Sequence, residues 1–372
     1  MCVSFNRRNF LLESLVLTES RAACFHHKEL HPDVYENLAA TGRIATQNPY
    51  RGWPVKFILL TLKSVLRIVP PRTQILIKNF EEHMGENEQG KETGRLYLEE
   101  IAYTIDYLGE SQLVIEDDAL LEWASQAGIS PRNAQIEALQ RRIIPLRYAK
   151  NFRSLTLAEQ RRICESRVLV CGCGGLGGIL INLLARAGVG TLRLVDGDVF
   201  NPTNLNRQWF CDTQALSRPK AEVAGERVRA MNPLIEVEVF ATLMDEDNTG
   251  ALVKGVDLVM DALDNLPGRF LCAEAAKHMG VPFIHAAAAG WWGQISTFLP
   301  ESFLSLHDIY GPEAERDPAE DLLGVLGPAP AVIGSLAAFE AIRLLSGRNA
   351  AYADQLLYLD GESGRMDVVP LR

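Results

Sequence analysis

The chain has 372 residues, of which 47% are hydrophobic, and a formal net charge of −10. This length allows a large buried core, and two domains are expected. The acidic balance argues against nucleic acid or an anionic membrane surface as the main partner. The longest apolar stretch, at 55–69, contains charged residues and is too short to cross a bilayer, so no membrane span is expected.

Cysteine usage indicates the compartment. Seven cysteines occur in a large chain whose first residues show no signal-peptide pattern, so a reducing cytoplasm is the expected location. Cys171 and Cys173 are interpreted as small buried thiols without a chemical role. His285, in the apolar stretch 281–287, is interpreted as a hydrogen-bonded core histidine rather than a catalytic base.

Residues 1–145 show no regular alternation of strands and helices. Residues 57–80 have the pattern of strands turned at Pro70-Pro71, and the acidic stretch 81–94 has that of an exposed loop. Three helical patterns follow, at 95–107, 117–127 and 132–142. Strands followed by three short helices predict a small α+β domain of winged-helix type.

Residues 146–372 alternate between strand and helix patterns. The strand patterns lie at 167–171, 191–196, 235–241, 257–263 and 281–287. The helical patterns run from about Gly175 to Ala187 and from about Lys220 to Met231. This alternation is typical of βαβ units and predicts an α/β domain with a doubly wound, mostly parallel sheet.

A glycine cluster joins the first of these strands to the first helix. Gly172, Gly174 and Gly177 fit the pattern G-x-G-x-x-G. Asp196 ends the next strand, where an acidic side chain can meet ribose hydroxyls. The pattern predicts nucleotide binding, but it does not distinguish a dehydrogenase from an enzyme that uses ATP.

The residues beyond the second strand favour ATP. Asn204, Arg207 and Gln208 stand close together, and Lys220 begins a predicted helix. Arg207 offers a planar fork of donors to phosphate oxygens, and Lys220 adds a point charge near a positive helix end. Asp264 supplies the hard oxygen that Mg²⁺ prefers. A dinucleotide oxidoreductase has no need of this set, whereas an enzyme that handles a polyphosphate does.

Six motifs in fixed order extend this pattern to the end of the chain. They are GCGGLGG at 172–178, DGD at 196–198, NLNRQ at 204–208, RPKAE at 218–222, DN at 264–265 and GPAPAVIGSLAAFEAIRLLSG at 327–347. With these motifs, residues 147–372 resemble the ThiF/MoeB/HesA family of adenylating enzymes, the bacterial relatives of ubiquitin-activating enzymes.

The resemblance implies a Rossmann-like domain that uses ATP and Mg²⁺ to adenylate a carboxylate, with pyrophosphate as leaving group and no protein nucleophile. Asp196 would bind the ribose, Lys220 would steady the α-phosphate, and Asp264 would hold Mg²⁺. The implied nucleotide-binding set is Gly172, Gly174, Gly175, Gly177, Asp196, Asp198, Asn204, Arg207, Gln208, Lys220 and Asn265. The implied catalytic set is Arg207, Lys220, Asp264 and Lys150.

The sequence departs from the family pattern in its cysteines. Many members hold a zinc ion with two C-x-x-C pairs, and members that form a thioester or persulfide carry a cysteine after the sixth strand. This chain has no cysteine after Cys272. Zinc and an enzyme thioester are therefore both expected to be absent.

A further departure lies in RYAKN at 147–151. Family members often carry an arginine where this chain has Lys150, and that arginine enters the partner subunit's site and contacts the phosphates. The resemblance therefore implies a homodimer with Lys150 near the partner's phosphates. A lysine keeps the charge but loses the bidentate geometry of arginine. Arg147 and Arg153 are the alternatives for this role.

Three substrate hypotheses stay open: a peptide, a sulfur-carrier or ubiquitin-like protein, and a scaffold without activity. Residues 1–145 favour a peptide. Family members that mature ribosomal peptides, of the microcin C and pantocin types, carry a winged-helix-like module that binds a leader peptide by strand addition. A scaffold is disfavoured because the acidic and basic residues named above are all present.

Overall fold

The computed structural model describes residues 97–107, 109–311 and 322–371. The strands predicted at 57–80 and the loop predicted at 81–94 lie outside these residues. Contacts divide the chain between Thr93 and Gly94. The domain boundary predicted at 145/146 therefore falls inside the second of the two units, and the assignment of residues 1–145 to a separate module stays a prediction.

The first described elements form a small α+β layer. They are α1 (Leu98–Ile101), β1 (Tyr103–Tyr107), β2 (Glu110–Ile115), α2 (Asp117–Ala127), α3 (Pro131–Gln140) and β3 (Ile144–Pro145). The strands form a sheet in the order β1-β2-β3, in which β1 and β2 are antiparallel and β2 and β3 are parallel.

The helices predicted at 117–127 and 132–142 are confirmed as α2 and α3, but the helix predicted at 95–107 is wrong beyond Ile101. Tyr103, Ile105 and Tyr107 alternate with polar residues, and Gly109 with φ of +79° turns the chain into β2. Apolar and polar residues that alternate before such a turn are the pattern of a hairpin strand rather than of a helix.

The remaining elements build the large domain. They are α4 (Leu157–Glu165), β4 (Arg167–Cys171), α5 (Gly175–Ala187), β5 (Thr191–Val195), α6 (Lys220–Met231), β6 (Glu236–Phe240), α7 (Thr249–Val253), β7 (Leu258–Asp261), α8 (Leu266–His278), β8 (Phe283–Ala289), β9 (Trp292–Phe298), α9 (His307–Tyr310), α10 (Pro328–Leu345), β10 (Gln355–Asp360) and β11 (Arg365–Pro370). Short 3₁₀ turns occupy Leu146–Asn151 and Pro202–Asn204.

Eight strands form one sheet in the order β11-β10-β9-β8-β7-β4-β5-β6. Strands β4 to β8 run parallel, and β9, β10 and β11 add an antiparallel extension. The five predicted strands and both predicted helices are confirmed, and so is the α/β class. From β4 the chain continues to β5 and β6 on one side of that strand, and then returns to β7 on its other side. This switch point is where open α/β sheets bind ligands.

Helices cover both faces of the sheet. On one face α4, α5, α6 and α10 bury residues such as Leu180, Leu184 and Ile333, and on the other α7 and α8 pack Val253 and Cys272 against it. Among the described residues, α10 is long and apolar enough to span a membrane. Half of it is buried inside the protein, which is the situation of a core helix.

A polar network fastens the small layer to the large domain. The hydroxyl of Tyr148 donates to Gln135 Oε1 at 3.0 Å and accepts from Asn232 Nδ2 at 3.0 Å. Gln135 also donates to the carbonyl of Leu234, and Arg147 bonds both Asp117 and the carbonyl of Met231. These contacts reach the C-terminal ends of α5 and α6, since Asn232 follows α6 and donates to the carbonyl of Ala185.

Candidate functional site

The predicted glycine loop lies where three strands end side by side. Cys171 pairs with Val195 on one side and with Asp261 on the other. The next residue, Gly172, has φ of +97°, and a Cβ there would lie 2.5 Å from the carbonyl oxygen of Ala262. A Cβ on Gly177 would overlap the carbonyl oxygen of Gly172. These two glycines are needed for the close backbone packing of the loop itself.

Gly174 and Gly175 are packed less tightly than Gly172 and Gly177. A Cβ on Gly174 would meet the side chain of Gln208 at 3.4 Å, and one on Gly175 would meet Pro330 at 3.4 Å, both ordinary contact distances. Gly174 also forms the N-cap of α5 without a side-chain hydrogen bond. The first N–H groups of this 13-residue helix therefore have no cap from its own N-cap residue, and its positive end suits an anion such as phosphate.

Asp196 holds the loop as well as facing the site. Its carboxylate accepts from the backbone N–H of Cys173 at 2.7 Å and from that of Asp198 at 2.8 Å. Burial raises the pKa of Asp196, although the N–H of Cys173 and the charge of Lys220 act in the opposite direction. A half-buried carboxylate at the end of β5 is the arrangement that binds ribose hydroxyls in Rossmann-like folds.

The loop at 201–208 brings three predicted residues beside the glycines. Asn204 is buried, and its Oδ1 accepts from the N–H of Asn201 at 3.0 Å, so this side chain shapes the loop. The guanidinium of Arg207 donates to the carbonyl of Thr203 at 2.9 Å and is partly exposed. Gln208 is only 8% exposed, lies against Gly174, and its buried Oε1 has no hydrogen-bond partner. An acceptor left in this state suits a site that a ligand completes.

Lys220 begins α6 with its side chain buried. Its Nζ donates to Asp198 Oδ2 at 2.8 Å, and its backbone N–H donates to the carbonyl oxygen of Asp198 at 2.9 Å. Asp196, Asp198 and Lys220 are thus linked in series from the glycine loop to the start of α6. The two acidic residues of the DGD motif therefore have different partners, which the sequence pattern does not reveal.

Asp264 and Asn265 follow β7, and their side chains differ in how available they are to bind a ligand. Asn265 is the N-cap of α8, and its Oδ1 accepts from the N–H of Gly268 at 2.9 Å. Asp264 is exposed, and its carboxylate accepts a long 3.4 Å bond from the Asn265 amide. The described residues contain no group of three possible metal-binding side chains. A Mg²⁺ ion that is shared with phosphates needs only one or two carboxylates, which Asp264 fits.

Lys150 does not join the other predicted residues. It is exposed on the turn Leu146–Asn151, two residues after Tyr148. The ring of Tyr148 contacts Gly188, at the C-terminal end of α5. The glycine loop lies at the other end of this helix, about 20 Å away. Lys150 is therefore remote from the glycine loop of the same chain.

The alternatives to Lys150 have other partners. Arg147 bonds Asp117 through Nε at 3.0 Å, and Arg153 forms an ion pair with Glu110 at 3.4 Å. The pair of Arg147 is half-buried and joins α2 to the large domain, so this side chain has a structural role. The exposed pair of Arg153 contributes little.

A buried network next to the site was missed from the sequence. Asp261, at the end of β7, accepts from Arg269 at 2.8 Å and contacts His285 Nδ1 at 2.7 Å. His285 Nε2 lies 3.1 Å from the hydroxyl of Tyr310, so His285 is the hydrogen-bonded core histidine that was expected. Burial alone would raise the pKa of Asp261, but Arg269 and His285 outweigh it and lower that pKa. The sequence signal for this network was Asp261, a charged residue at the end of the buried strand β7.

Four of the five described cysteines have a raised thiol pKa. Cys171 and Cys173 are fully buried, and contact with Cys272 and burial raise the pKa of Cys171, while burial raises that of Cys173. Burial raises the pKa of Cys164 to about 12. Cys211 is partly exposed, and burial raises its pKa as well. Thiolates are therefore disfavoured at all four positions.

Comparison with known proteins identifies an ATP-dependent adenylyltransferase, and the Rossmann-like fold agrees with it. Residues 147–372 match the ThiF family, and the chain belongs to that family. The SAMP-activating enzyme E1 of Haloferax volcanii is 37% identical over 216 residues, which are 57% of this chain and 79% of that protein. The sulfur carrier protein ThiS adenylyltransferase of Escherichia coli K12 is 34% identical over 220 residues, 59% of this chain and 87% of that protein.

The solved structures agree on the fold. The crystal structure of E. coli MccB with ATP matches with a TM-score of 0.53 and 18% identity, over 60% of this chain and 71% of that one. At this identity the likeness supports the fold alone.

Proposed function

We propose that this enzyme adenylates the C-terminal carboxylate of a small carrier protein. The observation that carries the proposal is the identity of 34–37% to enzymes whose names specify a sulfur carrier or SAMP activation. The sequence had favoured a peptide substrate. The named relatives support the carrier protein better, because the likeness to MccB is one of fold.

The chemistry follows from charge. A carboxylate oxygen attacks the α-phosphorus of ATP, the bond from that phosphorus to the oxygen bridging the β-phosphate breaks, and pyrophosphate leaves with the electron pair. Negative charge develops on the α-phosphate oxygens in the transition state. Arg207, Lys220 and the N-terminal end of α5 supply positive charge at this end of the sheet, and they neutralise the charge on the α-phosphate without a protein nucleophile.

The nucleotide is placed by the groups described above. Asp196 binds the ribose, and the phosphates lie against Gly174 and Gly175, beside Gln208 and Arg207. Asp264 would hold Mg²⁺, which when bound would neutralise phosphate charge and orient the leaving group. Gln208 contributes a carboxamide to the same space.

The complete site takes a residue from a second copy of the chain. Lys150 is exposed and remote from the site of its own subunit, and the family resemblance brings this position to the partner's phosphates. A homodimer in which each Lys150 serves the other subunit fits both facts. Light scattering that finds a fully active monomer would contradict this arrangement.

A peptide substrate is the second candidate. The family match begins at residue 147, and the relatives named above match 57–59% of the chain. Residues 1–146 therefore lie outside the family match, as a substrate-binding module would.

Pyrophosphate release distinguishes the two candidates. The enzyme is incubated with ATP, Mg²⁺ and either a small protein ending in Gly-Gly or a short peptide. The expected result is release with the small protein and an adenylyl mass increase on it. The same protein with its C-terminus amidated is the matched control and gives no release. Release with the peptide alone would favour the second candidate.

A further inference from the structure

The ammonium group of Lys220 is held in place by another side chain of the same chain. Its side chain is 7% exposed, whereas that of Asp198 is 58% exposed. Nζ donates to Asp198 Oδ2 at 2.8 Å. A buried ammonium without an acceptor is costly, so this contact restricts Nζ to one position.

The backbone brings the two residues together independently of their side chains. The N–H of Lys220 donates to the carbonyl of Asp198 at 2.9 Å, and that of Phe200 donates to the carbonyl of Arg218 at 3.0 Å. The N–H of Ser217 returns to the carbonyl of Phe200 at 2.8 Å. This short antiparallel ladder keeps residues 198–200 beside 217–220. Truncation of the Asp198 side chain therefore frees the lysine without unfolding the segment.

Asp198 is in turn tied to the glycine loop. Its N–H donates to Asp196 Oδ1, and Asp196 Oδ2 accepts from the N–H of Cys173. The position of Nζ is thus set relative to the loop that faces the phosphates. Such a fixed donor needs little reorganisation when charge develops on the α-phosphate.

The charge of Asp198 argues against contact with the phosphates. A carboxylate only accepts hydrogen bonds, and phosphate oxygens are acceptors of the same sign. We propose that Asp198 is a positioning residue for Lys220 rather than a ligand of the nucleotide. This inference rests on the proposed role of Lys220 at the α-phosphate.

The two roles give opposite kinetic signatures. If Asp198 orients Lys220, Asp198→Ala lowers kcat by about tenfold, because the donor is no longer preorganised. The KM for ATP stays within about threefold of the wild-type value. Removing the Asp198 carboxylate ends its repulsion of the phosphates, and this gain in binding offsets the weaker contact from a lysine that is no longer fixed. A nucleotide ligand would instead raise KM with kcat unchanged.

The experiment is a double-mutant cycle on the full-length protein. Pyrophosphate release is measured with the acceptor that supports wild-type turnover, and affinity is measured by calorimetry with α,β-methylene-ATP. Asp198→Ala added to Lys220→Ala is expected to slow the reaction no further, because Asp198 acts through the lysine. Glu226→Gln is the matched control: Glu226 is 56% exposed on α6, accepts from Arg218 at 2.6 Å, and its loss should change neither quantity.

Each outcome has one meaning. Additive losses in the double variant, or a raised KM with unchanged kcat in Asp198→Ala, would overturn the positioning role. A Lys220→Ala variant with the wild-type rate would refute the proposed function of Lys220. Loss in Lys220→Ala with none in Asp198→Ala would refute only the positioning role.

Discussion

Replacement of Gly177 by alanine tests the packing of the glycine loop. The new Cβ would overlap the carbonyl oxygen of Gly172 and lie 2.8 Å from its carbon, where ordinary contact begins at 3.4 Å. The backbone of Gly172 must therefore move by more than half an ångström. Overpacking of this kind costs about 3 kcal/mol, at the upper end of the usual range. The expected result is a melting temperature lower by about 4–5 °C, because the shift per kcal/mol becomes smaller as the unfolding unit becomes larger.

Gly250 provides the control. It also lies in the first turn of a helix, but a Cβ there would meet nothing within 4 Å. Gly250→Ala should be neutral or stabilise by up to about 1 kcal/mol. Thermal unfolding followed by circular dichroism measures all three proteins. If Gly177→Ala melted together with wild type, the close approach of the two glycines would be refuted.

Gly175→Ala separates packing from ligand binding. Its Cβ would lie 3.4 Å from Pro330, so the nucleotide-free protein should melt near the wild-type temperature. If phosphates approach the backbone here, the methyl group intrudes on them. The expected loss in α,β-methylene-ATP affinity is about tenfold, equivalent to about 1.4 kcal/mol. Unchanged affinity would place the phosphates elsewhere.

Three further results are expected. Arg207→Ala and Lys220→Ala should each slow adenylation roughly a hundredfold in pyrophosphate release, and wild-type rates would contradict their role in charge stabilisation. Gln208→Leu should raise the melting temperature, since an unsatisfied buried acceptor costs about 1–3 kcal/mol, and it should weaken α,β-methylene-ATP binding. Unchanged binding would contradict the ligand role of Gln208. A thiol reagent should label Cys211 before Cys164, with adenylation retained, and a thiol-labile substrate adduct would argue for a thioester.

The parallel strands and the helices between them could be predicted from the sequence, because the patterns that indicate them lie within each element. Helices α5 and α6 were predicted to the residue, since each follows a glycine or proline and carries an apolar face. Strand β1 was read as the end of a helix, because a short run of alternating residues next to α1 fits both periods. The antiparallel extension β9 to β11 also went unpredicted.

The sequence predicted which residues form the site, but it did not predict which of their side chains contact one another. Asp198 and Lys220 are 22 residues apart, and the ladder that joins them is built from irregular segments. The contact between Asp261 and His285 spans 24 residues and two strands. Asn265 was assigned to the nucleotide, whereas its side-chain oxygen caps α8. Periodicity says which face a residue occupies, but not which partner in another element meets it.

The hydrogen bonds among Tyr148, Gln135 and Asn232 determine which segment of this chain can be transferred to another protein as a stable unit. A fragment starting at residue 146 would leave the Tyr148 hydroxyl and the Leu234 carbonyl without Gln135. It would also uncover Leu234, which packs in the core of the small layer. Helices α5 and α6 would then keep their nucleotide ends but lose the support at their other ends. The unit that evolution or an engineer can transplant thus includes residues 97–145, and so begins well before the recognisable family sequence.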